Sequence, residues 1–444
     1  MEPIQTSQNN RAVVLAGGGA RGAYQIGVWR ALREMEIPFS IVTGTSVGAL
    51  NGAFMVQGDY EFAKSMWESI NAGQVLDIPG FDESWQETPA NSLHFFLSNI
   101  LRQGGADPRP LEELLRQKLD EQKVLASPVR FAFLTVEYPG FAPCILDKEE
   151  IPPGSLVDYL MASASCFPAM KMRCIGDKRY IDGGYYDNMP VDLAIEMGAR
   201  EIIAVDLDGV GVRRTGERPD GIPIHYIRSY WNLGNILGFE AKTARQNITL
   251  GYLDACKTLG DCQGQAYTFA PGELTKLEAL GLGSLSKRLS PLLPEDSPRE
   301  NHSLLLGAAR QAILRCLANK RRRSPLSISP LAMAAELCAQ TLGVSPLRRY
   351  TAAGFRHALF ARWQRLQRRE EPPASEQSIS LWLSQAAQSL SEASKTAYCL
   401  RRMQEHLAGT LELSLLPVLA AAMPTEFISA FYLLSVLEEF PGQV

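Results

Sequence analysis

The sequence predicts an α/β fold with a mostly parallel central sheet, followed by an all-helical C-terminal domain. Three observations carry that prediction. Short Val- and Ile-rich runs alternate with helical patterns from residue 11 to about residue 208, which implies crossover units between parallel strands. Glycine-rich turns stand where strands hand over to helices, at Gly17-Gly18-Gly19 and between Gly44 and Gly48. From residue 303 onward the chain is nearly all helix-forming. A length of 444 residues suits two or three domains. Composition divides them into an α/β domain at 11–270, a connector rich in Gly, Pro and Ser at 271–300, and a helical domain at 301–444.

Each element has its own reason. Residues 12–16 (AVVLA) read as a buried strand, ended by three glycines. Ala23, Ile26, Val28, Trp29 and Leu32 recur at helical spacing. Residues 39–44 (FSIVTG) form a second strand, and 47–56 (VGALNGAFMV) a helix apolar on most sides, hence buried. Helical patterns follow near 60–71 and 107–120, the second opened by Asp107-Pro108. Strands are expected at 129–138 and 142–147, and a helix at 155–165 that Pro168 ends. Residues 179–184 read as strand then turn, 191–199 as a helix closed by Gly198, and 200–208 as another buried strand. In the tail, helices are expected at 304–323, 331–342, 350–369 and 378–394.

Residues 413–437 carry one formal charge, Glu426, and are long enough to span a bilayer. Pro417 and Pro424 interrupt them, and Thr425 suits the N-cap of a fresh helix, so two short buried helices are the better reading.

Charge is unevenly spread. The net −4 combines 28 basic and 38 acidic residues in 1–300 with 16 basic and 10 acidic residues in 301–444. Lys320-Arg321-Arg322-Arg323 and the stretch from Arg348 to Arg369 concentrate the positive charge, with Phe355, Leu359, Phe360 and Leu366 on one face among Arg356, Arg365 and Arg369. A solvated face over packed helices is the plainer reading. Peripheral docking on anionic lipid is the other. Aromatic interleaving is too sparse to suggest nucleic acid. The eight cysteines form no C-x-x-C pair, and the polar N-terminus carries no signal-peptide pattern, so a cytoplasmic setting is expected.

Two glycine motifs bear chemistry. Gly17-Gly18-Gly19-Ala20-Arg21-Gly22 matches G-x-G-x-x-G between a strand and a helix. The ribose-binding acid of a dinucleotide site is missing at the end of the next strand, Val42-Thr43-Gly44, and Ala23 stands where a Walker loop needs Lys. A nucleotide-binding module therefore remains only as a rival reading. What survives is a loop of outward-turned amides at a helix start, suited to a phosphate or a transient oxyanion. Gly44-Thr45-Ser46-Val47-Gly48 is G-x-S-x-G at a strand-to-helix turn, the setting of a nucleophile elbow. The five histidines, at 94, 225, 302, 357 and 406, lack a local catalytic signature; His225 is the least improbable base.

Asp182-Gly183-Gly184 closes a strand and leads through Tyr185-Tyr186-Asp187-Asn188-Met189-Pro190 into a helix. The ordered set GGGARG (17–22), GTSVG (44–48) and DGGYYDNMP (182–190) resembles the patatin-like phospholipase family over roughly residues 11–270. The resemblance implies a three-layer α/β/α domain and a serine acyl hydrolase with a Ser–Asp dyad, acting on phospholipids or lysophospholipids without cofactor or metal. It implies Ser46 as nucleophile and Asp182 as base. The amides of Gly18 and Gly19 would form the oxyanion hole, with Gly17, Arg21 and Gly22 shaping the loop. Gly44 and Gly48 would flank the elbow, and Gly183, Gly184 and Asn188 would support the site. The remaining rival is an inactive scaffold of the same fold, against which the intact Ser46 and Asp182 argue. Residues 75–104, with Trp85, Leu93, Phe95, Phe96, Leu97 and Ile100, suit either an apolar lid or an ordinary loop and helix packed on the core.

Overall fold

A computed structural model describes residues 10–77, 105–214, 216, 221–279, 300–321, 328–367, 390–410 and 415–438. Most of the stretch considered as a lid (78–104), most of the connector (280–299), His94, Arg322, Arg323 and Arg369 lie outside these residues. The chain forms two compact units, Met1–Gly260 and Asp261–Val444.

The first unit is built on a mostly parallel sheet. Strand β1 (Arg11–Leu15) leads through the glycine loop to α1 (Ala23–Glu34); β2 (Ile41–Thr45) leads to α2 (Val47–Gln57) and α3 (Tyr60–Ser69). After α4 (Arg109–Lys118) and α5 (Glu121–Ala126) come β3 (Arg130–Tyr138), β4 (Ala142–Asp147) and α6 (Leu156–Ser163). Then β5 (Arg173–Ile175), β6 (Lys178–Asp182), α7 (Val191–Glu196), β7 (Glu201–Asp206), β8 (Ile224–Arg228) and α8 (Ala241–Leu259) complete it. The order across the sheet is β5-β6-β3-β2-β1-β7-β8, with β4 also on β3. Strands β3, β2, β1, β7 and β8 run parallel. The expected α/β architecture is therefore present. Central strands covered on both faces must be apolar throughout, and Ala12, Val13 and Val14 of β1 are fully buried, as are Ile202 to Val205 of β7 to within 1%.

Strand β3 organises the end of the sheet where Ser46 and Asp182 lie. Its first half pairs parallel with β2, from Arg130 opposite Ile41 to Leu134 opposite Thr45. Its second half pairs antiparallel with β6, starting at Thr135 opposite Asp182. Strand β4 pairs with Ala132 to Glu137 and so occupies the other edge. One edge of β3 thus carries two strands whose C-terminal ends meet head to head between Leu134 and Thr135.

The second unit is helical apart from a two-stranded ribbon. Strand β9 (Thr268–Phe269) pairs parallel with β10 (Arg349–Tyr350). The helices are α9 (Glu273–Ala279), α10 (Glu300–Arg321), α11 (Pro330–Thr341), α12 (Ala352–Gln367), α13 (Glu392–Leu407), α14 (Leu415–Ala422) and α15 (Pro424–Leu437). Glu336 is buried on α11 and accepts the amides of Gln265 and Ala266, both at 2.8 Å, so main chain satisfies its carboxyl oxygens. Helix α12 uses its apolar face internally: Phe355, Leu359, Phe360 and Trp363 are buried, and Arg356 with them. The Arg356 guanidinium donates to the Ser435 carbonyl at 3.0 Å. The face considered for lipid docking is therefore core. Helices α14 and α15 are the two short, buried helices expected, bent by 119° at their junction. Pro424 takes the first turn and Met423 the N-cap, in place of Thr425, because proline at N1 lacks only an amide the helix leaves unpaired anyway. Among the described residues no single helix is long and apolar enough to cross a membrane.

Candidate active site

Ser46 sits between β2 and α2 with φ 57° and ψ −129°. A non-glycine residue at positive φ costs on the order of 1–3 kcal/mol and persists only where neighbours enforce it. Here they do. The Ser46 carbonyl already accepts the amides of Ala49 and Leu50, starting the helix. Its amide donates to Ser163 Oγ at 3.0 Å, and Ser163 Oγ donates to the Leu134 carbonyl at 2.8 Å. Gly44 and Gly48 permit the close approach: a Cβ on Gly48 would overlap the Leu15 carbonyl, and one on Gly44 the Gly48 carbonyl. Helix α2 therefore starts directly against β1, with the serine at its N-terminus.

Asp182 ends β6. Its amide donates to the Ser165 carbonyl at 2.9 Å, and its carboxylate accepts the Gly184 amide at 2.8 Å. The Ser46 side chain stands close enough to this carboxylate to favour its charged form. Both residues are buried, at 9% and 7% exposure. Burial pushes the Asp182 carboxyl up to about 6, against the opposing pull of the Ser46 side chain and the Gly184 amide. That places its proton affinity far nearer a working base than the ~3.9 of a free Asp. No histidine lines the cavity around Ser46 among the described residues. His225 Nε2 lies 3.3 Å from Glu201, at the start of β7, whereas Ser46 follows the C-terminal end of β2, so the sheet separates them.

The glycine loop lies beside Ser46. The Gly17 amide is engaged by the Asn188 carbonyl at 3.0 Å, and Asn188 Nδ2 donates back to the Gly17 carbonyl at 3.2 Å. A Cβ on Gly17 would overlap Asn188 and stand 3.1 Å from Ser46 Cβ. Gly18 and Gly19 line the cavity, and among the described residues their amides meet no protein acceptor. Gly19 takes φ 54°. Arg21 does not reach the serine: its guanidinium donates to the carbonyls of Gly234 (2.8 Å), Leu207 (3.2 Å) and Asp208 (2.6 Å), pinning the loop to the segments after β7 and β8. Gly22 fits against Val47 and Trp67. Gly183 packs on the Leu134 carbonyl, and Gly184 between Asn188 and Asp182. Ser46, Asp182, the glycines of both motifs and Asn188 thus gather at one place, with Arg21 bracing the loop away from the serine and His225 elsewhere.

Two contributors carry no sequence signature. Ser163 is one small polar residue in a buried helix, and nothing in its neighbours announces that it holds the Ser46 amide. Thr45 Oγ1 donates to the Asp187 carbonyl at 2.8 Å, tying β2 to the segment after Asp182.

Ser46 and Asp182 open into a cavity of about 280 Å³, lined by apolar side chains including Leu50, Phe54, Trp67, Leu115, Met170 and Phe239. Cys166 also lines it, but burial, with Asp182 adding repulsion, pushes its thiol up to about 12, so it stays protonated and does not compete as a nucleophile. A hydroxyl and a carboxylate at the floor of an apolar pocket suit acyl transfer with an aliphatic substrate.

Residues 13–195 match the family model described as patatin-like phospholipase, a span containing all three segments that carried the resemblance. Patatin-like phospholipase domain-containing protein 7 of Rattus norvegicus is 32% identical over 210 residues, 45% of this chain and 14% of that protein. Patatin-like phospholipase domain-containing protein 6 of Homo sapiens is 31% identical over 210 residues, 45% of this chain and 13% of that protein. Lysophospholipase NTE1 of Saccharomyces cerevisiae is 27% identical over 251 residues, 56% of this chain and 14% of that protein. The chain spans about one-seventh of the length of these relatives.

Proposed function

We infer, from a chain whose residues 13–195 belong to the patatin-like phospholipase family, that the protein is a serine acyl-ester hydrolase acting on phospholipids or lysophospholipids. The observation that carries this reading is Ser46 set against a buried Asp182 of raised proton affinity, both lining an apolar cavity. Relatives described as phospholipase-domain proteins and as a lysophospholipase support the substrate class.

In this mechanism Ser46 Oγ attacks the ester carbonyl carbon while its proton passes to Asp182. The carbonyl oxygen becomes an oxyanion, held by the Gly18 and Gly19 amides and the N-terminus of α2. The C–O bond to the alcohol breaks, and Asp182 returns the proton to the leaving alkoxide. An acyl group then rests on Ser46. Asp182 next takes a proton from water, whose oxygen attacks the acyl carbon, and the serine leaves reprotonated. The Asp182 carboxyl, raised by burial, makes the first proton transfer less uphill than an exposed aspartate would. The acyl chain occupies the apolar cavity.

A fluorophosphonate probe together with a panel of soluble esters and phospholipids tests the reading on wild type, Ser46→Ala and Asp182→Asn. Labelling and hydrolysis that require Ser46 support it. Folded wild-type protein that neither labels nor hydrolyses any ester in a Ser46-dependent way overturns it.

A further inference from the structure

We propose that the first unit docks on a phospholipid bilayer through an apolar patch centred on Phe141, Tyr185, Val210 and Val212, so that the cavity mouth faces the lipid surface. The proposal rests on the acyl-hydrolase reading for its purpose, but its geometry stands apart from the dyad.

Phe141 is the last residue of the turn between β3 and β4, and it is the wrong residue for its backbone. It takes φ 53°, a conformation that suits Gly, Asn or Asp and is strained for a bulky side chain. It is also 52% exposed, so packing does not repay that strain. A large apolar residue held out into water in a costly conformation points to a surface that is covered in use. Its ring is 6.2 Å from that of Tyr185 and 5.8 Å from that of Tyr138. Tyr185 is 41% exposed and lines the cavity that holds Ser46.

Val210 and Val212 extend the patch. Val210 is 83% exposed and lines the same cavity; Val212 is 49% exposed. Backbone bonds fix this segment beside the site: the Val212 amide donates to the Gly184 carbonyl at 2.9 Å, and the Asn188 amide to the Val212 carbonyl at 2.7 Å. Tyr185 and Val210 therefore belong both to the cavity wall and to the exposed surface outside it. That continuity selects the occupant, because a lipid entering from a bilayer would slide from membrane to cavity without exposing its chain to water. Arg179 supplies the headgroup contact. Its exposed guanidinium stacks over Tyr138 at 5.4 Å, and among the described residues it has no carboxylate partner, so it can meet a lipid phosphate at the rim.

The test compares the full chain with the double variant Phe141→Asn/Val212→Asn, two positions outside the cavity lining. Both positions are exposed, and Asn suits the φ of Phe141 better than Phe does, so thermal stability should hold or rise. Three measurements are made: co-sedimentation with phosphatidylcholine–phosphatidylserine vesicles, hydrolysis of a soluble short-chain ester, and light scattering without lipid. The expected result is vesicle affinity lower by about tenfold or more, with soluble-ester hydrolysis within about twofold of wild type. Unchanged vesicle binding by the variant overturns the proposal, as does wild type that hydrolyses the soluble ester yet ignores vesicles. That last outcome leaves the hydrolase reading intact. Loss of a wild-type dimer in the variant, with vesicle binding unaltered, assigns the patch to self-association and also overturns it. Wild type that binds vesicles through these residues but cleaves no ester supports the docking surface and sinks the hydrolase reading instead.

Discussion

Thr45 and Asp182 lie opposite consecutive residues on one edge of β3, Thr45 across from Leu134 and Asp182 across from Thr135. A parallel and an antiparallel strand share that edge and end against each other. The residue following Thr45 is Ser46, so sheet register alone brings Ser46 and the Asp182 carboxylate together. The Thr135 hydroxyl, which donates to the Ile181 carbonyl at 2.8 Å, locks the junction. Two side chains 136 positions apart in sequence are thereby set by hydrogen bonds of main chain, the stiffest means a fold has.

Replacing the carboxylate should separate chemistry from folding. Asp182→Asn keeps an acceptor for the Gly184 amide but removes the base, so kcat should fall by about 10²–10⁴. Asp182→Glu should not rescue it, since the register leaves no room to move the strand end back by a methylene. Steady-state kinetics on a soluble ester check both.

The same burial sets the pH dependence. In the proposed mechanism the working form of Asp182 is ionised, so kcat/KM should rise as pH increases through about 6 and level above it. Stability runs the other way. The folded carboxyl holds its proton more tightly than the unfolded one, so the stability it contributes is present below about pH 4 and is lost as pH rises through about 6. The loss is on the order of 3 kcal/mol. Asp182→Asn should therefore melt higher than wild type at pH 8, and the two should converge near pH 4. Melting curves across that range decide it; a variant less stable than wild type at pH 8 contradicts the assignment.

Ser163 should matter through Ser46. In Ser163→Ala the Ser46 amide and the Leu134 carbonyl both lose a buried partner, a cost of about 1–3 kcal/mol each. With the elbow loosened, kcat should drop by about tenfold or more with KM nearly unchanged, since Ser163 does not line the cavity. Equal changes in kcat and KM would point to general disorder instead.

Gly19→Ala should damage the oxyanion loop. The residue needs positive φ, and the added Cβ would overlap the Ile236 carbonyl. Displacing one donor costs about 10²–10³ in kcat at comparable sites. Ester hydrolysis and circular dichroism together show whether the loss is local.

The helical unit should respond to changes in its core. Arg356→Ala strands the Ser435 carbonyl and opens a gap beside Tyr432, so the melting temperature should fall while vesicle binding by the folded protein persists. Loss of vesicle binding without loss of stability would return membrane contact to this helix.

The sequence made much of this visible, for identifiable reasons. Strands β1, β2 and β7 are covered on both faces, so their apolar runs stand out. Gly44, Gly48 and the Gly17–Gly19 run mark the two places where backbone meets backbone. Helix α8 was not read, because Lys242, Arg245 and Lys257 break its apolar pattern although Ala244, Ile248 and Leu250 are buried. Helix α13 escaped similarly, with Arg401 and Arg402 beside the buried Cys399, Leu400 and Met403. The lipid-facing reading of α12 mistook a core stripe for a surface one, since amphipathic periodicity does not say what covers the apolar face. Arg356, counted there as surface charge, is buried because Ser435 and Tyr432 accept it. Ser163 had no signal at all; its role arises only from the contact of α6 with the β2–α2 turn.

The central claim is that Ser46 carries the acyl group and Asp182 puts it there. Rapid-quench peptide mapping during turnover of a chromogenic ester tests that most directly. The account predicts an acyl adduct on the peptide containing Ser46, with a burst of alcohol release in wild type, slowed by about 10² or more in Asp182→Asn and absent in Ser46→Ala. An adduct on another residue, or an undiminished burst in Ser46→Ala, would contradict it.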